Sequence, residues 1–470
     1  MQEWLLEIKK PGRYLGNEWN VIKKDISKIK IKFALCFPDL YEIGMSYLGL
    51  RILYGLLNSK KDIACERVFS PDIDLENKLR EKNLDLVSLE SRLPLKDFDF
   101  LGFSLTYELS YTNVLNILNL SKIPLYARER DESYPLIIGG GNCTLNPEPI
   151  ATFFDFFIIG ETEDTILKII ERYKKFKQNK LYKKEKFLQE LTKIPGVYVP
   201  SFYNVEYNLD NTIKNFNPLY QNIPHRIKKT FILNLNKNYF PINWIVPHVS
   251  IVHDRISLEI MRGCPNACNF CQARIFYWPY RIRDVKKILD LSKKNYKATG
   301  YEEISLLGLS SGEHPQIIKI LEGLIENFKE KGISIALPSL KAKDLTKQLP
   351  ILLTKIKKTG LTFAPEAGTE RLRQVINKSL DMQSLFDAVR ASYIAGYRHI
   401  KLYFMIGLPS ETYEDLDGIV SLAKKISEIK KEIDNRLGEV HLSISTLIPK
   451  AHTPFQWLEM EKIEIIQKKQ

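Results

Sequence analysis

The sequence holds no uninterrupted run of about 18 apolar residues, which excludes a membrane-spanning helix. Residues 1–13 mix charged with apolar side chains and lack the long apolar core of a secretory signal. A cytoplasmic protein is therefore expected. Cysteine is scarce: six in 470 residues make no disulfide framework, and a reducing compartment would not sustain one. Histidine is absent before His225, so no imidazole from the first 224 residues can ligate a metal.

What is present suits a globular protein. A hydrophobic fraction of 44% allows sizeable cores, and 470 residues suit two or three domains. The formal net charge of +13 is compatible with nucleic-acid binding. Lys, Ile, Asn and Tyr are abundant throughout, however, which is a general composition bias. The densest basic run, 168–186, reads as a helix with a solvated face followed by a linker. The charge tilts the expected substrate toward RNA or a ribonucleoprotein without establishing it.

Residues 1–30 read as a polar leader. From 31 to 176, apolar segments at 31–37, 98–105, 136–138 and 153–159 alternate with helical spacing at 45–57, 111–120 and 163–176. Short buried strands alternating with helices predict a parallel sheet, hence a Rossmann-like α/β domain. Residues 177–250 lack clean alternation beyond a candidate strand at 197–205, and prolines at 195, 200, 218, 224, 241 and 247 punctuate them; they read as a connector. Alternation then resumes. Strands are predicted at 256–261, 303–309, 333–337, 361–364, 399–406 and 440–447, with helices at 283–298, 315–330, 342–358, 370–396 (broken) and 412–433. Six repeats predict a partial (β/α)6 barrel of the TIM type over 251–457, with a charged tail at 458–470. Such folds place chemistry at the C-terminal ends of their strands. Four motifs follow predicted strands there: the cysteine loop, Ser310-Ser311-Gly312-Glu313, Pro365-Glu366-Ala367-Gly368 and Gly407-Leu408-Pro409.

The cysteine loop reads Arg262-Gly263-Cys264-Pro265-Asn266-Ala267-Cys268-Asn269-Phe270-Cys271. Cys36, Cys65 and Cys143 sit in apolar, strand-like contexts and read as buried small hydrophobes. Three thiolates on one loop can hold three irons of a cubane cluster and leave the fourth iron open to a ligand. A structural zinc site needs four ligands. No fourth cysteine lies nearby, and His253 precedes the strand.

This spacing, with an aromatic residue just before the last cysteine, resembles the signature of the radical S-adenosylmethionine (SAM) superfamily. The resemblance implies a [4Fe–4S] cluster on Cys264, Cys268 and Cys271 that binds SAM at its open iron and cleaves it reductively to a 5′-deoxyadenosyl radical. It implies further SAM contacts. Phe270 would lie near the adenine. Gly312-Glu313, with Ser311 in place of a first glycine, would accept the SAM ammonium. Glu366 would meet the ribose hydroxyls, although a helix N-terminal charge is the plainer alternative. Gly407-Leu408-Pro409, with Glu411-Thr412, would approach the adenine, or form an ordinary strand–helix turn.

The N-terminal stretch resembles cobalamin-binding Rossmann domains at three places. Asp39-Leu40-Tyr41-Glu42-Ile43-Gly44 stands where that family has Asp-x-His-x-x-Gly. Ser104-Leu105-Thr106 and Gly139-Gly140 follow strands where the nucleotide tail would lie. Position 41 is Tyr, so either cobalamin binds without a histidine ligand or the pocket has become a scaffold or substrate platform. Resemblance runs from Lys10 to Trp457 and is closest in kind to cobalamin-binding-domain radical SAM proteins of unassigned substrate. Val252-His253-Asp254-Arg255 and the stretch from Pro449 through His452 to Trp457 extend it. His452 reads either as a proton donor or as a surface histidine. Members of that family usually continue further, so the expectation is that a substrate-reading part is either missing here or encoded separately, as a C-terminal-type partner protein. The expected function is methyl or related group transfer to an unactivated carbon, with an electron donor for the cluster. Methylthiolation-like chemistry without cobalamin and a non-catalytic cluster and SAM sensor are the alternatives. The first of these usually needs three more clustered cysteines, and 36, 65 and 143 are too dispersed.

Overall fold

Ile31-Lys32-Phe33-Ala34-Leu35-Cys36-Phe37 is buried at every position but Lys32, as a strand covered on both faces requires. It is the second strand of a six-stranded sheet in a computed structural model that describes residues 3–178, 182–336 and 361–470. The chain divides into two units: residues 1–233 with 237–254, and 234–236 with 255–470.

In the first unit, β1 (Ile31–Phe37), β2 (Ile63–Phe69), β3 (Phe100–Ser104), β4 (Leu136–Gly140) and β5 (Phe156–Ile158) are parallel, and β6 (Val197–Tyr198) adds on antiparallel. Their spatial order is β2-β1-β3-β4-β5-β6. The order reverses between β1 and β3, so the crevice outside their carboxyl ends is the topological switch point where such sheets bind ligands. The core is aromatic: Phe100, Phe103, Phe154, Phe156 and Phe157 are all fully buried. The expected helix at 45–57 is two helices, Tyr41–Ser46 and Leu48–Asn58, because Tyr47 is extended between them. The expected strand at 153–159 shrinks to β5, since Pro147 and Pro149 open a 3₁₀ turn over Glu148–Phe153. Residues 177–250 carry more structure than their composition suggests. They hold the helix Lys184–Leu191, strand β6 and a hairpin of β7 (Tyr203–Tyr207) and β8 (Ile213–Pro218).

In the second unit, β9 (Ile256–Glu259) leads into a short antiparallel ladder of β10 (Met261–Arg262) and β11 (Arg281–Ile282). β12 (Glu303–Leu307) lies between β9 and β13 (Ser334–Ala336) in one parallel sheet. β14 (Leu361–Glu366), β15 (His399–Ile406) and β16 (Glu439–Thr446) form another, in that order. The helix Val285–Thr299 stops at Gly300, whose φ of +70° is the left-handed cap that glycine favours. The helix Tyr413–Asp434 starts on a capping box of Thr412 and Asp415. The expected broken helix is Glu370–Val375 followed by Met382–Ile394. The expected helix at 342–358 lies outside the described residues.

Candidate functional site

The β10–β11 ladder pairs Met261 with Ile282 and Arg262 with Arg281, which closes the cysteine loop at its base. Gly263 opens the loop at φ +83°, where a Cβ would stand 2.8 Å from the carbonyl oxygens of Tyr277 and Pro279. Only glycine lets the outgoing chain pass the returning one this closely. Glu259 accepts from Arg262 Nε at 2.9 Å, and its backbone carbonyl accepts from Arg283 Nε at 2.9 Å, so charge pairs reinforce the ladder.

The loop is held from two sides, by the end of the helix Glu370–Val375 and by the turn at Glu313. The Asn269 backbone N–H donates to the Ile376 carbonyl at 3.0 Å, its side chain donates to the Val375 carbonyl at 3.0 Å, and Asn377 donates to the Ala267 carbonyl at 2.8 Å. On the other side, Asn266 Nδ2 lies 3.3 Å from Cys264 Sγ and donates to Glu313 at 2.5 Å. Cys268 is buried, while Cys264 and Cys271 are half-buried. Burial pushes the Cys268 thiol up, opposed by the charge of Lys378. Burial also raises Cys271, opposed by the backbone N–H groups of Arg274 and Ala273 at the start of the helix Gln272–Tyr277. Both thiols must release a proton to bind iron. Three sulfurs on one anchored loop fit a cluster with three protein ligands. Cys36, Cys65 and Cys143 are buried in the core of the first unit.

The expected SAM residues surround this loop. Ser311-Gly312-Glu313 forms a 3₁₀ turn after β12, with Ser311 and Gly312 buried. Ser311 Oγ donates back to the Leu306 carbonyl at 3.2 Å, so its side chain reinforces the turn instead of filling the site. The Glu313 carbonyl accepts from Tyr280 Oη at 3.1 Å. Glu366 ends β14 at φ +69°, where the β14–β15 register slips. A non-glycine residue there is strained, a condition that clusters at functional sites. Burial raises the Glu366 carboxyl, opposed by Lys378 Nζ at 3.3 Å. Phe270 packs against the apolar cluster that contains Met405 and Leu408, which places it beside the Gly407 turn. The Gly407 N–H donates to Glu411 at 2.9 Å. Asn266 and Lys378 were not singled out from sequence. Asn266 could have been found by its place between two cysteines, whereas nothing local marks Lys378.

Gly368 seats this rim on the helix behind it. A Cβ at Gly368 would lie 2.2 Å from the Asp415 carbonyl and 2.5 Å from the Ile419 nitrogen. Gly368→Ala is therefore expected to destabilise the second unit by about 1–3 kcal/mol, the usual cost of overpacking, read as a lowered thermal midpoint. An unchanged midpoint would show that the helix Tyr413–Asp434 moves aside freely.

In the first unit, Asp39 follows β1 and accepts from Leu40 N at 2.7 Å and from the Tyr107 hydroxyl after β3, so this pair spans the switch point. The hydrogen bond to Asp39 pushes Tyr107 up to about 12. Ser104 and Gly140 are register partners and meet at the carboxyl end of the sheet, whereas Gly139, paired with Phe103, faces the core, because a Cβ on it would strike the buried Phe157 ring at 2.3 Å. Tyr41 and Gly44 do not join them. Tyr41 is 1% exposed and donates to Glu18 at 2.8 Å, and a Cβ on Gly44 would strike the Phe69 ring at 2.3 Å. Both belong to the core. His452, after β16, is exposed, with its backbone N–H on Gln456.

Among the described residues no helix is long and apolar enough to cross a membrane. Residues 49–200 match the family model described as radical SAM proteins, N-terminal, and residues 258–423 match that of the radical SAM superfamily. The chain is 30% identical over 439 residues to the uncharacterized protein MJ0966 of Methanocaldococcus jannaschii, covering 93% of this chain and 81% of that one. It is 22% identical over 401 residues to the uncharacterized methyltransferase PH0819 of Pyrococcus horikoshii, covering 81% and 73%. Its fold matches the radical SAM methyltransferase TsrM of Kitasatospora setae, solved with cobalamin and a [4Fe–4S] cluster bound, with a TM-score of 0.59 at 12% identity over 94% of this chain and 78% of that one. With a Rossmann-like sheet, a parallel-stranded second unit and a three-cysteine loop in one sequence, the chain belongs to the radical SAM superfamily and is an enzyme that uses a [4Fe–4S] cluster and SAM.

Proposed function

We propose that this radical SAM enzyme transfers a methyl or related group to an unactivated carbon, with cobalamin bound by the first unit. Cys264, Cys268 and Cys271 would ligate the cluster. Glu313 and the turn at Ser311-Gly312 would receive the SAM ammonium, Glu366 its ribose, and Phe270 with the Gly407 backbone its adenine. Bound together, cluster and SAM supply one-electron cleavage of the sulfonium. The protein's own part is to anchor the loop through Asn266, Asn269 and Asn377 and to line the rim. The cluster also needs an external electron donor.

One observation carries the cobalamin part: a switch point with Asp39 on one side and Ser104 and Gly140 on the other. A Cβ on Gly140 would meet nothing closer than Thr162 Oγ1 at 3.6 Å, so this edge has room for a ligand to lie along it. Tyr41 faces the core, where its hydroxyl donates to Glu18 at 2.8 Å, so it is not offered to a corrin at the switch point. A corrin here would bind without an axial ligand from that position. The second-cluster requirement of methylthiolation finds no counterpart in the dispersed, buried Cys36, Cys65 and Cys143.

Anaerobic protein given hydroxocobalamin is expected to retain corrin in proportion to chain, with the spectrum of the base-off form and no change in Tyr41→Phe. Methyl-deuterated SAM should then pass its label to substrate. With a net charge of +13, RNA and ribonucleoprotein fractions are the first to assay. Their binding should weaken steeply with salt if phosphates are contacted. No retained corrin would end the cobalamin part, and label that never leaves SAM would end methyl transfer.

A further inference from the structure

At the N-terminal ends of β15 and β16, away from the turns that follow the strands, three metal-binding side chains meet. His399 opens β15 and Glu439 opens β16, and the two are direct register partners. His441 stands two residues beyond Glu439, on the same side of β16, because side chains alternate along a strand. Glu439 faces both rings: one carboxylate oxygen is 2.8 Å from His399 Nδ1 and the other is 2.7 Å from His441 Nε2. One ligand atom from each of the three residues lies within 4.8 Å of the others. All three residues are exposed.

We propose that His399, Glu439 and His441 form a second metal site, one for a divalent transition ion of the zinc class. Two imidazoles and a carboxylate are borderline ligands that suit zinc, whereas calcium and magnesium take oxygen. Three protein ligands leave a tetrahedral ion one position for water. The ion would take the place of the contacts between Glu439 and the two rings, at about 2.0–2.2 Å from each ligand atom. Little has to move. An unbroken parallel ladder from His399–Glu439 to Ile406–Thr446 fixes both backbones, so exposed side-chain rotamers alone close the site. Lys401, the register partner of His441, leans its ammonium over the Tyr403 ring at 4.9 Å, two residues further along the strand.

The site is separate from the cluster. β15 spans eight residues, so about 25 Å of strand lies between His399 and the Gly407 turn. Among the described residues, β16 is the outer strand of its sheet, joined to β15 on one side only. An ion held by Glu439 and His441 on β16 and His399 on β15 would cross-link that outer strand at its first residues.

The test uses untagged holoenzyme with its iron–sulfur cluster assembled, so that the three loop cysteines are occupied. The protein is equilibrated anaerobically with zinc, desalted and analysed for metals, and its thermal midpoint is read with and without zinc. The expected result is zinc retained in proportion to chain, with a midpoint raised by zinc. His399→Gln and His441→Gln should each weaken binding at least about a hundredfold, since even changes one shell out from a metal cost 10–100-fold. These exposed substitutions should leave the metal-free midpoint and the iron content unchanged. The proposal is overturned if the double variant His399→Gln/His441→Gln retains as much zinc as the wild type, or if zinc leaves the wild-type midpoint where it was.

Discussion

Cys268→Ala is expected to remove reductive SAM cleavage. Reconstituted anaerobically and given SAM with a strong reductant, the wild type should form 5′-deoxyadenosine, detected by mass spectrometry, and the variant none above background. Of the three loop thiols, Cys268 is the most enclosed, at 9% exposure. With it gone, two thiolates remain for three irons, and iron content should fall along with activity. The fold should survive. The bonds that anchor this part of the loop run from Asn269 to Ile376 and Val375 and from Asn377 to Ala267, and none uses the sulfur. The loss is a small buried side chain, costing about 1 kcal/mol, and a midpoint shift of a few degrees is the most to expect. Wild-type product from the variant would remove Cys268 from the ligand set. A collapsed midpoint would show instead that the thiol's place in the fold had been misjudged.

The second unit was legible in outline because its strands are short apolar runs with helices between them. Predicted strands at 399–406 and 440–447 correspond to β15 and β16 within one residue. The rim motifs were legible because each follows a strand, and the topology brings them to one end. What composition concealed were elements whose charges are paired inside the protein. β2 went unread because Glu66 and Arg67 interrupt Ile63-Ala64-Cys65 and Val68-Phe69, and a run broken by two charges does not look buried. Yet every residue of β2 is buried. Tyr41 was similarly ambiguous. Its place in an Asp-x-x-x-x-Gly loop suggests a ligand contact, but its partner Glu18 lies in the leader, which no local pattern connects to it. Pairing across many residues is what a one-dimensional reading misses.

Arg67 is where that hidden pairing matters most for stability. Its guanidinium is fully buried and grips Glu18 with two bonds of 2.9 and 2.8 Å, while its Nε donates to Glu90 at 2.7 Å. Its backbone N–H takes the other Glu90 oxygen at 2.8 Å. Burial pushes Glu18 up, but Arg67 more than offsets it and holds that carboxyl below its usual range. At Glu90 burial prevails and the carboxyl is raised. One cation thus serves two buried carboxylates, and Glu18 also takes the Tyr41 hydroxyl. Arg67→Met keeps much of the volume but leaves both carboxylates without their cation. Breaking a buried pair from one side costs about 3–5 kcal/mol. In a unit of this size that lowers the thermal midpoint by roughly 10 °C. Adding Glu18→Gln and Glu90→Gln should restore more than half of the loss, because the penalty lies in the stranded charges and not in missing contacts. No recovery in the triple variant would mean that Arg67 acts by packing, through its place over the Tyr54 ring at 5.6 Å, and that the carboxylates are already protonated around it.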